Sequence, residues 1–251
     1  MLQQQPGSGG THHLGILAHS VEGAALCLTA FGQRGGELLG EHMHPDVTLD
    51  CIAMGRSMPA WEAGDLVTIR AILARSADRL AAAGADFFVC SDNTAHLALE
   101  HPGPDLALPG LHIAQVVAAA AGEAGYRRVG ILGTRWTMEA EMYPRVLAEH
   151  GLQAEIPGAS DRSMVDAIIF GELCKGVFTD SSRDRYIEVI NRLRKAGCDA
   201  VALVCTEIPL LVPAEASPLP ALPSTTLLAT AAAEVAAGNQ PLPTWRGGQP
   251  L

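Results

Sequence analysis

The sequence predicts an α/β protein of two similar halves, each a parallel sheet flanked by helices. Two observations lead there. Strand-like and helix-like segments alternate along the chain, as parallel strands joined by helical crossovers require. The chain also repeats itself. AGADFFVCSDNTAH from Ala83 and AGCDAVALVCTEIP from Ala196 align without a gap at an offset of 113 residues, and LGILAHS from Leu14 matches VGILGTR from Val129 at an offset of 115. Asp86 then meets Asp199, and Asp92 meets Cys205. Each copy ends a strand with an acidic or sulfur-bearing side chain, followed by hydroxyl and amide residues. Two such ends facing each other make a cleft with one proton-transfer group on each wall.

The elements follow in order. HLGILAH, a short apolar run, is the first strand. Val21 to Leu39 has helical periodicity, with a break expected at Gly35-Gly36. DVTLDCIAM is strand-like. Asp65 to Ala83 has helical spacing, and Gly84 stops it. ADFFVC is a buried strand, and a helix from Thr94 to Glu100 ends at His101-Pro102-Gly103-Pro104. Ile113 to Ala124 is helical, RRVGILG a strand, Thr137 to His150 helical and LQAEIP a short strand. Met164 to Cys174 and Ser182 to Ala196 are helices, and DAVALVC is a strand. A Pro-rich loop from Pro213 to Pro223 leads into an Ala-rich helix from Thr225 to Ala237. The expected organisation is a flexible tail over 1–12, one lobe from 13–110 plus 224–240, and a second lobe over 111–223.

Composition narrows the function. With 251 residues, 48% of them apolar, a core is easily built. A formal net charge of −10 argues against nucleic acid as the main partner but not against a small anionic substrate. No apolar run approaches the roughly 20 residues that span a bilayer, so no membrane role is expected. Residues 1–12 lack the basic and apolar regions of a secretory leader. The six cysteines have neither zinc-ribbon nor CxxC spacing and read mostly as small buried hydrophobes of a reducing cytoplasm.

Ligands of parallel α/β sheets bind at the carboxyl ends of strands. That selects His19-Ser20, Gly55-Arg56-Ser57, Ser91 to Thr94, Thr134-Arg135 and Cys205 to Glu207. None of these turns is a GxGxxG or Walker loop, so neither a dinucleotide nor ATP is expected as cofactor. Cys205 reads either as a buried strand cysteine or as a thiol activated by nearby backbone donors. Asp92 reads either as a helix N-cap or as a carboxylate base facing Cys205. Cys90, two residues earlier, reads as packing. Ser20, Asn93, Thr94, Thr134 and Thr206 offer hydroxyls and an amide to a substrate carboxylate, or serve as turn and cap residues. Arg56 and Lys175 are candidate carboxylate-binding cations, or merely solvated charges.

At these residues the chain resembles the aspartate/glutamate racemase superfamily, whose members work without pyridoxal phosphate. VCTEIPLL (Val204 to Leu211) is close to that family's second catalytic motif, GCTEIPLL, and SDNTAH (Ser91 to His96) resembles its first, CNTAH. GILGTRWTM (Gly130 to Met138) and AIIFGELCKG (Ala167 to Gly176) also fit. The resemblance spans Leu14 to Ala237. It implies two Rossmann-like lobes related by a pseudo-two-fold axis, an active site between them and a homodimer. It gives Cys205 the role of the second catalytic cysteine, Asn93 and Thr94 that of a substrate-binding pair, and Lys175 that of a substrate-contacting lysine. The first catalytic cysteine is replaced by Asp92, and Ser224 stands where the family's usual aspartate begins the last-helix motif.

The expected chemistry is cofactor-independent proton transfer at a carbon beside a carboxylate, between Asp92 and Cys205. A free carboxylate titrates near 4 and a thiol near 8.5. Even-handed racemisation therefore needs the two affinities brought together; otherwise one direction dominates. The alternatives are a decarboxylase or cis–trans isomerase of a small dicarboxylate on the same scaffold, and a non-catalytic small-molecule binding protein.

Overall fold

The computed structural model describes residues 10–250. Its first sheet holds β1 (Leu14–Ala18), β2 (Val47–Cys51), β3 (Phe87–Cys90) and β4 (Gly110–Leu111) in the order β2-β1-β3-β4. The second holds β5 (Arg128–Gly133), β6 (Gln153–Glu155), β7 (Ala200–Val204) and β8 (Ala221–Pro223) in the order β6-β5-β7-β8. All neighbours within each sheet are parallel. The two orders are the same, with β1 matching β5 and β3 matching β7. These are the strands that the internal repeat aligns.

The helices are α1 (Val21–Leu39), α2 (Met58–Ala63), α3 (Leu66–Ala82), α4 (Asn93–Leu99), α5 (Ile113–Glu123), α6 (Arg135–Glu139), α7 (Met142–Glu149), α8 (Ala159–Gly171), α9 (Asp180–Lys195), α10 (Ile208–Leu211) and α11 (Ser224–Ala236). Helices cover both faces of each sheet, so β1, β3 and β7 are buried at every position and need no polar alternation.

The repeated Ala-Gly-x-Asp segments have a structural cause. Gly84 and Gly197 follow α3 and α9 with φ of +88° and +92°, a left-handed conformation that glycine adopts without Cβ strain. Two residues on, each aspartate pins the start of the neighbouring strand. Asp86 accepts the N–H of His13 at 2.7 Å; Asp199 accepts those of Arg127 and Arg128 at 2.8 and 3.0 Å. The same device thus sets the register of β1 beside β3 and of β5 beside β7.

Several boundaries differ from expectation. No break occurs at Gly35-Gly36, and α1 runs unbroken to Leu39. Gly35 is there for space: a Cβ on it would lie 2.7 Å from the Cβ of His44. The helix expected over 137–150 is two helices, α6 and α7, because Ala140 is extended (φ −85°, ψ 154°). The helix expected to start at Met164 begins at Ala159. The Pro-rich loop conceals β8, and β4 was not foreseen. Both are edge strands, of three and two residues, too short for periodicity to register.

The last helix returns to the first lobe. Leu228, Ala229, Ala232 and Ala233 of α11 pack with Ala24, Cys27 and Phe31 of α1. Of the tail expected over 1–12, residues 1–9 lie outside the described residues, and ordered contacts begin by His12, whose N–H donates to Ala236 O at 2.7 Å. Among the described residues no helix is long and apolar enough to cross a membrane.

Gly133 ends β5 against the residue that precedes Cys205. A Cβ there would lie 2.6 Å from a Val204 methyl and 2.9 Å from the Val204 carbonyl oxygen, which is backbone and cannot swing away. Gly133→Ala is expected to lower stability by about 1–3 kcal/mol. In urea unfolding the midpoint should fall with the slope unchanged.

Candidate active site

The carboxyl ends of β3 and β7 face one cavity. It is lined from the first lobe by Ser20, Glu22, Met54, Met58, Trp61, Asp92, Asn93 and Thr94, and from the second by Thr134, Trp136, Ile169, Phe170, Cys174 and Val204 to Glu207. About 100 Å3 of it is open to the centre of a water molecule, and all the space between atoms, open solvent at the mouth included, is about 750 Å3. Asp92 and Cys205, the repeat-related pair, line it from opposite lobes.

Asp92 is the N-cap of α4; its Oδ1 accepts the Ala95 N–H at 3.2 Å. Its other oxygen lies 3.6 Å from Nδ1 of His19, which is buried at the end of β1. Burial works to raise the Asp92 carboxyl. The His19 ring and the Ala95 N–H outweigh it and hold the carboxyl below its ordinary value. His96, one turn into α4, fixes this corner from behind. Its Nδ1 is 2.9 Å from Asp92 O, and its Nε2 accepts the Ile113 N–H at 3.3 Å. With Nε2 accepting, the ring proton belongs on Nδ1 and is donated to Asp92 O. Burial, with His112 adding to it, pushes His96 down to about 3, so this ring stays neutral.

The opposite wall has the reverse electrostatics. The Cys205 thiol donates to Glu207 Oε2 at 3.0 Å, and Glu207 is itself buried. Burial first, then the charge of Glu207 and this hydrogen bond, raise the thiol far above its ordinary value. Cys205 therefore rests protonated while Asp92 rests ionised.

Polar side chains tie the lobes together around these two groups. Asn93 donates from Nδ2 to Ser224 Oγ at 2.9 Å, and Ser224 donates to Leu203 O in β7 at 3.1 Å. Tyr143 of α7 donates its hydroxyl to Asn93 Oδ1 at 2.6 Å. Thr94, Thr134 and Thr137 form a triangle of hydroxyls 2.9–3.1 Å apart.

The chain also has counterparts among known proteins. The Asp/Glu/Hydantoin racemase pattern matches residues 39–233. The chain belongs to that family. It is 31% identical over 157 residues to the glutamate racemase of Pseudomonas putida (strain W619), an alignment that covers 61% of this chain and 57% of that enzyme. The chain thus spans little more than half the length of this curated relative. A candidate Asp/Glu racemase from Yersinia pestis is 32% identical, with a TM-score of 0.79 over 90% of this chain and 99% of the other. An aspartate racemase homologue from Pyrococcus horikoshii OT3 shares the fold at a TM-score of 0.75 and 24% identity, again over 90% of this chain and 99% of the other.

Within this racemase fold the expected site residues divide into groups. Ser20, Asp92, Asn93, Thr94, Thr134, Cys205 and Thr206 line the cavity. Arg56 and Lys175 do not. Each sits in a single 3-10 turn with its side chain exposed, beside residues (Met54, Met58 and Cys174) that do line it. Asn93 has both ends of its amide engaged by Ser224 and Tyr143, so its side chain positions the turn. Cys90 is fully buried and outside the lining, as a packing role predicts. His19 and Glu207 were marked only by their place at strand ends; their pairing with Asp92 and Cys205 needed the fold. Trp61, Trp136, Ile169 and Phe170 carried no signal, because three separate helices contribute them.

Tyr143→Phe removes the partner of a buried amide oxygen. A stability loss of about 1–3 kcal/mol is expected by chemical denaturation, with Asn93 Oδ1 left unpaired.

Proposed function

We propose that this chain is a cofactor-independent racemase or epimerase that moves a proton at the carbon next to a carboxylate, between Asp92 and Cys205. The reading rests on one observation above all: a carboxylate and a thiol, contributed by matching turns of two lobes, line the same cavity. A planar carbanion held between them can lose a proton to one face and gain one from the other, and such positioning is a large part of the rate. The hydroxyls of Ser20, Thr94, Thr134 and Thr206 supply donors for the substrate carboxylate and for the charge that develops on it.

The resting protonation states give this device a direction. Asp92 is ionised and takes the proton; Cys205 is protonated and delivers one to the opposite face. After one passage Asp92 holds the abstracted proton and Cys205 is a thiolate beside Glu207. That like-charge pair favours reprotonation from solvent. Asp92 in turn gives its proton to solvent, which restores the starting form; the separated affinities fix which face is deprotonated from the resting form and leave the equilibrium unchanged. A decarboxylase would have to seat a second substrate carboxylate near the ionised Asp92, so proton transfer suits this wall better. The six free cysteines also suit a reducing cytoplasm.

Cys205→Ala should cut inversion of the reacting carbon, followed by chiral chromatography, by roughly 10²–10⁴-fold, while Asp92 can still exchange the α-proton from its own face. Full retention of inversion would remove Cys205 from the mechanism. The active form requires Asp92 ionised and Cys205 protonated. The rate should therefore fall in acid below the lowered Asp92 value, stay flat through neutrality and fall again in alkali above the raised Cys205 value. Glu207→Gln removes a negative charge from beside the thiol, so the alkaline limb should move to lower pH in a pH–rate profile.

A further inference from the structure

The cavity lining is mixed in character but lacks cations among the described residues. Its polar lining includes the Ser and Thr hydroxyls and three carboxyl groups, those of Glu22, Asp92 and Glu207. Its apolar lining includes Met54, Met58, Trp61, Trp136, Ile169 and Phe170. The aromatic part is a continuous contact across the lobes. Trp61 lies 6.0 Å from Trp136, and Trp136 lies 5.7 Å from Phe170 in an edge-to-face arrangement (85°). Among the described residues no lysine or arginine lines the cavity, and the neighbouring Arg56 and Lys175 are exposed outside it.

An amino acid with an acidic side chain fits this arrangement badly. One of its carboxylates can use the Ser and Thr hydroxyls. The other would be stripped of water against tryptophan, phenylalanine and methionine, with no cation to pair it and three protein carboxyl groups nearby. An apolar side chain is favoured by the same wall, and an α-ammonium group finds Glu22 at the mouth.

We infer that the substrate carries an apolar side chain, preferentially aromatic, on the reacting carbon, and that aspartate and glutamate are poor substrates. The inference builds on the proton-transfer reading of the same cavity and names the class of molecule it takes. The apolar side chain is common to a free amino acid and to the corresponding cyclic ureide (a hydantoin); the cavity wall reads that shared part.

The test is α-proton exchange in heavy water followed by NMR, with exchange by the double variant Asp92→Asn, Cys205→Ala as background. The substrates are phenylalanine, leucine, benzylhydantoin and isobutylhydantoin, set against aspartate and glutamate. At least one apolar compound should exceed both acidic amino acids by roughly tenfold or more in kcat/KM, and whichever apolar arm exchanges identifies the head group. Trp136→Ala and the milder Phe170→Leu should raise KM for the apolar substrate more than they lower kcat. Met58→Lys, which brings a cation to the wall, should shift the ratio toward aspartate and glutamate. If the unaltered protein exchanges aspartate or glutamate as fast as the apolar compounds, the side-chain assignment is overturned and proton transfer between Asp92 and Cys205 stands. If none of the six compounds exchanges above background, both are overturned.

Discussion

The short chain of hydrogen bonds from Asn93 through Ser224 to Leu203 is the constraint on which the site depends. It starts one residue after Asp92, passes through the first residue of α11 and ends on β7, two residues before Cys205. Tyr143 closes the other side of the Asn93 amide. Each link is buried, where a hydrogen bond is strong and an unmade one costly. Asp92 and Cys205 follow strands of different sheets and share no backbone pairing, so their separation is set by this chain and by the threonine triangle beside it. The proposed proton transfer between them tolerates little slack, because misplacement of about 1 Å can cost a hundredfold in rate.

Against that shared frame the two walls are dressed in opposite ways. The acid of the first wall has an imidazole for a neighbour; the thiol of the second has a carboxylate. Each neighbour moves its partner further from neutrality. Two groups of the same kind with like neighbours would exchange roles freely. Here the fold is close to symmetric while its electrostatics are not, and the asymmetry comes from four side chains: His19, Asp92, Cys205 and Glu207.

Much of this was legible in the sequence because it is local. The two copies of Ala-Gly-x-Asp followed by an apolar strand and a polar turn announce a helix stop, a strand and a strand end within a few residues, and they put Asp92 and Cys205 in equivalent places. The seven-residue α4 and the buried central strands follow from the same windows. What stayed hidden depends on distance along the chain. Trp61, Trp136 and Phe170 come from α2, α6 and α8, and nothing in their own neighbourhoods says that they meet. The engagement of Asn93 by Tyr143 joins residues 50 apart. Arg56 and Lys175 occupy expected turns, but the direction of a side chain on a single 3-10 turn is fixed by packing, which periodicity does not report. The unbroken α1 shows the converse: Gly35 has the composition of a helix breaker, yet it answers the approach of His44.

The return of α11 onto α1 shapes how the molecule is made. During synthesis the strands β1 to β3 leave the ribosome early, but the helix that covers α1 and supplies Ser224 emerges only after all four strands of the second sheet. The second lobe has its whole sheet available first. The early-made lobe must wait, with an apolar helix face bare, for residues some 200 positions downstream, as the pairing of Arg34 with Glu234 illustrates. Contacts of such long sequence separation form slowly, and exposed apolar surface invites aggregation meanwhile. Loss of α11 would therefore strike the first lobe and leave the second, through which the chain has already passed, comparatively intact.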